Sequence, residues 1–307
     1  VFVVACVSRG REGKELADIG QLVEAGAVAF SDDGAPVYDA ELMRRAFEYC
    51  RMFDKPILAH EEVLELSRGG VMHEGLVSLV LGLTGMPAAA EEVMIGRDIA
   101  LSEVTGGRLH VMHVSTAGGV AMIREAKRRG ARVTAEACPH HFTLTDENLR
   151  GFDANFKMSP PLRTAADVEA IIAGLVDGTI DCIATDHAPH AREKKMLELD
   201  RAPFGILGLE TAIGLAVTRL IVPGRIGWPR LIEAMSTLPA RILGLSRGTL
   251  RPGAAADITI IDPDLSWRVD VKQFRSKSVN SPFDGWTLQG RAVATIVGGR
   301  IKHRLGA

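Results

Sequence analysis

The segment IDCIATDHAPH, residues 180–190, is an apolar, β-branched run that ends abruptly in a carboxylate and two imidazoles. A run of this length and composition reads as a buried strand. Asp186, His187 and His190 just past its end have no packing rationale, and strand C-terminal ends are where α/β barrels place their chemistry. Asp186 alone could equally be a helix N-cap, because Asp is a good one.

The same arrangement recurs upstream. Residues 27–30 are apolar and run into Ser31-Asp32-Asp33-Gly34; residues 56–59 close on His60-Glu61-Glu62. Residues 109–112 end at His113, and residues 132–137 lead into Cys138-Pro139-His140-His141. A lone His at a strand end is usually a satisfied core residue. Asp33, His60, His113 and Asp186 at equivalent ends of successive strands instead suit a divalent transition metal such as zinc. Asp32 is expected to serve the turn, because Asp-Gly sequences favour turns, and Asp33 to be the ligand.

Strand-like runs at 2–7, 27–31, 56–60, 109–114, 132–137 and 180–186 alternate with helical periodicity at 14–25, 40–53, 91–104, 120–129 and 165–176. Helical segments follow at 209–221 and 230–243, after a loop at 191–203. Such alternation implies a parallel sheet wrapped by helices. Six strands are two short of a (β/α)8 barrel, so the first two are expected upstream of Val1. From Gly248 the texture changes to strands joined by turns, as in GTLRPGAAADITIIDP and VATIVGGRI. The expected division is a partial barrel over 1–247 and a small β appendage over 248–307.

The 307 residues carry a formal charge of −2, with 47% hydrophobic and 24% charged residues. This suits a soluble globular enzyme and leaves no electrostatic footprint for nucleic acid or for a membrane surface. No apolar stretch approaches the roughly 20 residues that span a bilayer, and residues 1–7 lack the basic start of a signal peptide. Cys6, Cys50, Cys138 and Cys182 form no CxxC pair and read as reduced, mostly buried thiols, so the expected location is cytoplasmic.

The motifs together resemble the bacterial dihydroorotases of the zinc-dependent amidohydrolase superfamily over essentially the whole chain. The likeness is carried by GAVAFSDDG at 26–34, LAHEE at 58–62, EEVMIGRDIALSEVTGGRLHVMHVST at 91–116 and VTAEACPHHFTLTD at 133–146. It continues through FKMSPPLR at 156–163, GTIDCIATDHAPH at 178–190, FGILGLET at 204–211 and SKSVNSPFDGWTLQG at 276–290. The resemblance implies a distorted TIM-like barrel with a composite β-sandwich and a site for two zinc ions (Zn2+). It implies reversible hydrolysis of the cyclic amide of L-dihydroorotate to N-carbamoyl-L-aspartate by metal-activated hydroxide. Asp33 matches the acid that bridges the metals, His60 and His113 the histidines of the second metal, and Asp186 the last metal ligand and general acid/base.

Ser159, His190, Phe204 and Gly205 match substrate-binding positions, with Ser159 where relatives often carry Asn. The family's HxH pair has no counterpart among the nine histidines, so the chain by itself is expected to be an inactive, poorly soluble portion of a longer protein. Glu61 and Glu62 could orient the ligands or form a solvated pair. His187 is expected to be structural, His140 and His141 supporting, and Cys138 a packing residue; His73, His110 and His303 have no functional case. The resemblance also implies a homodimer, with aspartate transcarbamoylase as a candidate partner. Two rivals are a hydantoinase, dihydropyrimidinase or allantoinase, and a non-catalytic dihydroorotase-like scaffold of aspartate transcarbamoylase. The first group usually bridges its metals with a carboxylated lysine, for which Asp33 stands here; the second would lose metal ligands, and the four expected in this span are kept.

Overall fold

The computed structural model describes residues 1–306. Among the described residues there are eleven strands: β1 (Val4–Ala5), β2 (Ala29–Phe30), β3 (Pro56–Ala59), β4 (Met72–His73), β5 (Gly85–Met86), β6 (Arg108–Val111), β7 (Val133–Ala137), β8 (Cys182–Ile183), β9 (Ile258–Arg268), β10 (Thr287–Val297) and β11 (Arg300–Arg304). Six of them form a parallel sheet in the order β1-β2-β3-β6-β7-β8. Each strand pairs with the one before it in this series, with no reversal of direction of winding. That is the order of a (β/α) barrel and not of a doubly wound sheet. A parallel bridge from His187 to Ile206 carries the same progression one step past β8.

The covering helices form where the apolar spacing places them, and their ends are set by side chains. Ala40–Met52 is capped by Asp39, which accepts from the N–H groups of Glu41 and Leu42, and buries Met43, Ala46, Phe47 and Cys50. Ala117–Arg128 is capped by Thr116. Ala165–Asp177 is capped by Thr164, ends on Gly178 in the left-handed region, and buries Val168, Ile171, Ile172 and Leu175. These faces repeat at i, i+3, i+4 and i+7, the stripe a helix must bury against a sheet. They pack on Phe30, Ile57, Leu109, Val111, Val133 and Ile180 in one apolar core.

Two expectations change. The helix expected over 14–25 begins only at Ile19. Before it, Ser8 bridges Leu16 and the N–H of Arg9 donates to Glu15, which ties residues 14–16 to the loop after β1. The segment 68–86, which shows no clear periodicity, holds the small parallel pair β4–β5 and a short helix, Leu76–Leu81.

The C-terminal strands form an antiparallel sheet in the order β11-β10-β9. It seats on the barrel through a second apolar cluster that includes Leu144, Met158, Leu162, Ile206, Val269, Phe283 and Leu288. A Cβ on Gly214 would lie 3.0 Å from both Trp267 and Leu288, so glycine permits this close approach.

Candidate metal and substrate site

Asp33, His60 and His113 leave β2, β3 and β6 at their C-terminal ends and meet. His60 Nδ1 lies 3.1 Å from His113 Nε2, and Asp33 Oδ1 lies 3.4 Å from the first nitrogen and 3.7 Å from the second. Both histidines are buried, at 8% and 3% exposure, while half of the Asp33 side chain remains open. Two imidazole nitrogens this close can share only one proton, and both turn toward the carboxylate oxygen. Donors at about 2.0–2.2 Å around a tetrahedral zinc stand roughly 3.4 Å apart, which matches these three separations. The residues present therefore fit a divalent metal.

His60 also has the outer contact expected of a metal-bound imidazole. Its Nε2 lies 3.0 Å from Glu62 Oε2, and such a carboxylate fixes the tautomer and raises basicity. Burial opposes a charge on His60, yet its contacts with Asp33 and Glu62 outweigh it and lift the imidazole to about 9. The contacts of His113, then His60, hold the Asp33 carboxyl well below the usual range. His113 Nδ1 is buried with no hydrogen-bond partner among the described residues.

Asp186 lines the same cavity as this cluster. The cavity has a volume of about 740 Å3 and is also lined by Glu62, Arg68, Lys157, Ser159, Phe204 and Gly205. Burial pushes the Asp186 carboxyl up, against the pull of His113. No helix starts at Asp186; the next begins at Arg192, so the capping alternative falls. His113 and Asp186 both have positive φ, 33° and 45°. Non-glycine residues in this region are uncommon and concentrate at functional sites. Here the sharp turn at the strand end carries each side chain over the mouth of the barrel.

Of the substrate-site residues, Ser159, Phe204 and Gly205 line the cavity. His190 stands beside them with Nε2 2.7 Å from the Phe204 carbonyl oxygen. The N–H of Gly205 donates to the Lys157 carbonyl, and its own carbonyl accepts from Lys195 Nζ and Asn280 Nδ2. Its backbone polar groups are committed to these partners.

Asp32 serves the turn as expected, its carbonyl accepting from the N–H of Ala35, and its buried carboxylate also accepts from the N–H groups of Val7 and Ser8 and from the Ser8 hydroxyl. It thereby joins the loops that follow β1 and β2. Glu61 is not half of a solvated pair, being buried with both oxygens unpartnered among the described residues and pushed up by burial and by Asp98. His187 is structural, accepting from the N–H of Gly208. His140 and His141 are buried, and His141 Nε2 donates to the Pro160 carbonyl. Cys138 is fully buried, in keeping with packing.

Sequence reasoning passed over the groups that brace the loops. Glu91 accepts from the N–H groups of Ser115 and Thr116, two and three residues past His113. Arg163 donates to Ser115 Oγ and to the Met86 carbonyl. A buried carboxylate in a helix and a buried arginine after a proline pair carry no local signal, because their partners lie more than 20 residues away.

A profile of the Amidohydrolase family matches residues 9–302. The curated dihydroorotase of Pelotomaculum thermopropionicum is 58% identical over 301 residues, 98% of this chain and 70% of that protein. The dihydroorotase of Syntrophus aciditrophicus is 53% identical over 304 residues, 99% of this chain and 71% of that protein. Among solved structures, the L-hydantoinase (dihydropyrimidinase) of Arthrobacter aurescens superposes with a TM-score of 0.85 at 29% identity, covering 94% of this chain and 68% of that one. The chain belongs to the dihydroorotases of the amidohydrolase family.

Proposed function

We propose that this chain carries the catalytic barrel of a dihydroorotase, which interconverts L-dihydroorotate and N-carbamoyl-L-aspartate by opening and closing a cyclic amide. The observation that carries the reading is the convergence of Asp33, His60 and His113 in a cavity that also holds Asp186. Asp33, His60, His113 and Asp186 would hold zinc, two ions in the complete site. Zinc supplies a nucleophilic water at neutral pH and polarises the amide carbonyl.

The remaining work falls to side chains of this chain. Asp186, buried beside the donors, takes the proton released as water attacks and delivers it to the departing ring nitrogen. Ser159 Oγ and Phe204 orient the ring, and His190 reads the carboxylate that distinguishes dihydroorotate from simpler cyclic amides. Asp33 in place of a carboxylated lysine, together with the identity to dihydroorotases, favours this reading over a hydantoinase. The same reading takes residues 1–247 as the barrel and 248–307 as the appendage. It also assigns a cytoplasmic protein that works as a homodimer, with aspartate transcarbamoylase as a candidate partner. Among the described residues no helix is long and apolar enough to cross a membrane.

The test is a substrate panel on the zinc-loaded full-length protein: dihydroorotate, dihydrouracil, hydantoin and allantoin. Hydrolysis of dihydroorotate should exceed the others by at least about 100-fold in kcat/KM, because a site built for a charged group rejects analogues that lack it. Faster turnover of hydantoin or allantoin would overturn the assignment.

A further inference from the structure

Asn280 lies in the C-terminal stretch, far in sequence from every residue of the site, and is only 3% exposed. Its side chain commits both amide donors and its oxygen to two segments that flank the cavity. Oδ1 accepts from the N–H of His190 at 3.1 Å. Nδ2 donates to the Ala188 carbonyl at 2.9 Å and to the Gly205 carbonyl at 3.2 Å. The Asn280 carbonyl accepts from the N–H of Leu207.

The two segments it joins are those that carry Asp186-to-His190 and Phe204-Gly205. They already touch through the N–H of Ala188 and the Ile206 carbonyl, and through His190 Nε2 and the Phe204 carbonyl. Their contact is close: a Cβ on Gly205 would fall 2.5 Å from Ala188 Cβ, and Gly205 sits at φ 111°. Lys195 Nζ closes the other side by donating to the carbonyls of Pro203 and Gly205. Asn280 itself does not line the cavity, whereas Ala188, Phe204 and Gly205 do.

We infer that Asn280 is a positioning residue for substrate recognition: its amide clamps the 188–190 and 204–207 segments in register, and so sets His190 and Phe204 against the carboxylate-bearing end of the ring. The inference rests on the dihydroorotase reading. It assigns to the C-terminal stretch a share in substrate selectivity, beyond its packing on the barrel. An amide is required because one acceptor and two donors are used together. Aspartate has the same shape but would set an oxygen against two carbonyls.

The experiment compares the full-length wild-type protein with Asn280→Asp and Asn280→Ala, using dihydroorotate and dihydrouracil, which lacks the carboxylate. Zinc content, melting temperature and hydrogen exchange across residues 188–207 are measured alongside. Displacing groups that orient a substrate by about 1 Å can cost on the order of 100-fold. Asn280→Asp should therefore raise KM for dihydroorotate about 10- to 100-fold at unchanged zinc content. The weak reaction with dihydrouracil, which feels Phe204 but not the carboxylate contact of His190, should lose at least about tenfold less, and exchange should speed up in 188–207 but not in the helix Ala117–Arg128. If both substrates lose activity in proportion to lost folded protein, Asn280 is only a structural brace and the inference fails. If the variants keep wild-type KM for dihydroorotate and wild-type exchange, it fails too. A wild-type enzyme that ignores dihydroorotate sinks the function and not the clamp, whose exchange signature is read without substrate.

Discussion

At the scale of single residues, the site separates two carboxylates by their surroundings. Asp33 is half open and held ionised by two imidazoles, whereas Asp186 is pushed up by burial. Environments that push like groups apart suit them to different tasks; in the proposed reaction Asp33 would stay an ionised ligand and Asp186 would trade the proton. Asp186→Asn keeps the shape and removes the relay. It should lower kcat about 100- to 10,000-fold, with a smaller change in KM, and zinc must be assayed beside it because a charged donor is also lost. A near-normal kcat would end the assignment. Ser159 supports a second test. It lines the cavity with a hydroxyl, whose reach is shorter than that of a side-chain amide. Ser159→Asn lengthens that reach and should lower KM for dihydroorotate about 3- to 10-fold, the worth of one added hydrogen bond of roughly 1 kcal/mol. An increase in KM would mean that the pocket has closed around the smaller side chain.

At the scale of elements, Asp33, His60, His113 and Asp186 each follow the end of a parallel strand, and at His113 a helix on the next layer braces the turn. The helix Ala89–Thr105 supplies Glu91, buried at 3% exposure, to the N–H groups that follow His113. Arg163 stands 3.8 Å from the same carboxylate. Glu91→Gln keeps the size but gives up charge-assisted acceptance from two N–H groups. It should lower the melting temperature by roughly 5 °C, for a loss of about 1–3 kcal/mol, and weaken zinc binding about tenfold or more, as loss of outer support usually does. Unchanged zinc affinity in a calorimetric titration would show that the turn holds itself. This layer is also where the sequence stops being legible. The strand ends announced themselves because a charged residue closing an apolar run breaks a local pattern, and Asp33, His60, His113 and Asp186 were all readable that way. The turn at Asp32 was readable, but the second role of its carboxylate was not, because Val7 and Ser8 lie on another turn. The pair β4–β5 was missed because strands of two residues have no periodicity to detect. Asn280 left no signal, since an asparagine before Ser-Pro reads as a turn until its long-range partners are known.

At the scale of the whole molecule, the barrel encloses uncharged imidazoles that the unfolded chain would expose to protons. Burial drives the His141 ring down to about 3, and His140 is pushed the same way. What faces His141 does nothing to favour its charge except the Pro160 carbonyl; His113 and Arg163 oppose it. The unfolded ring, with a pKa near 6.5, takes up a proton that the folded ring refuses. The unfolded state therefore binds more protons between about pH 6.5 and 3. Stability conferred by a neutral His141 is full above pH 6.5 and drains away as the solution is acidified. One such group costs about 2 kcal/mol between pH 6.5 and 5. The carboxylates held low, Asp33 and Glu62, titrate mainly below that window. His60 has the opposite sign, its contribution being lost only as pH rises toward 9. Glu61 and Asp186, pushed up by burial, gain stability on acidification, so urea unfolding of metal-free protein at pH 5.0 and 6.5 isolates the loss due to His141 only by comparison with a variant. In His141→Gln, whose amide can still donate to the Pro160 carbonyl but cannot be protonated, the loss should be about 2 kcal/mol smaller. An equal pH dependence in the two proteins would mean that the His141 ring is hydrated and protonates freely in the native barrel.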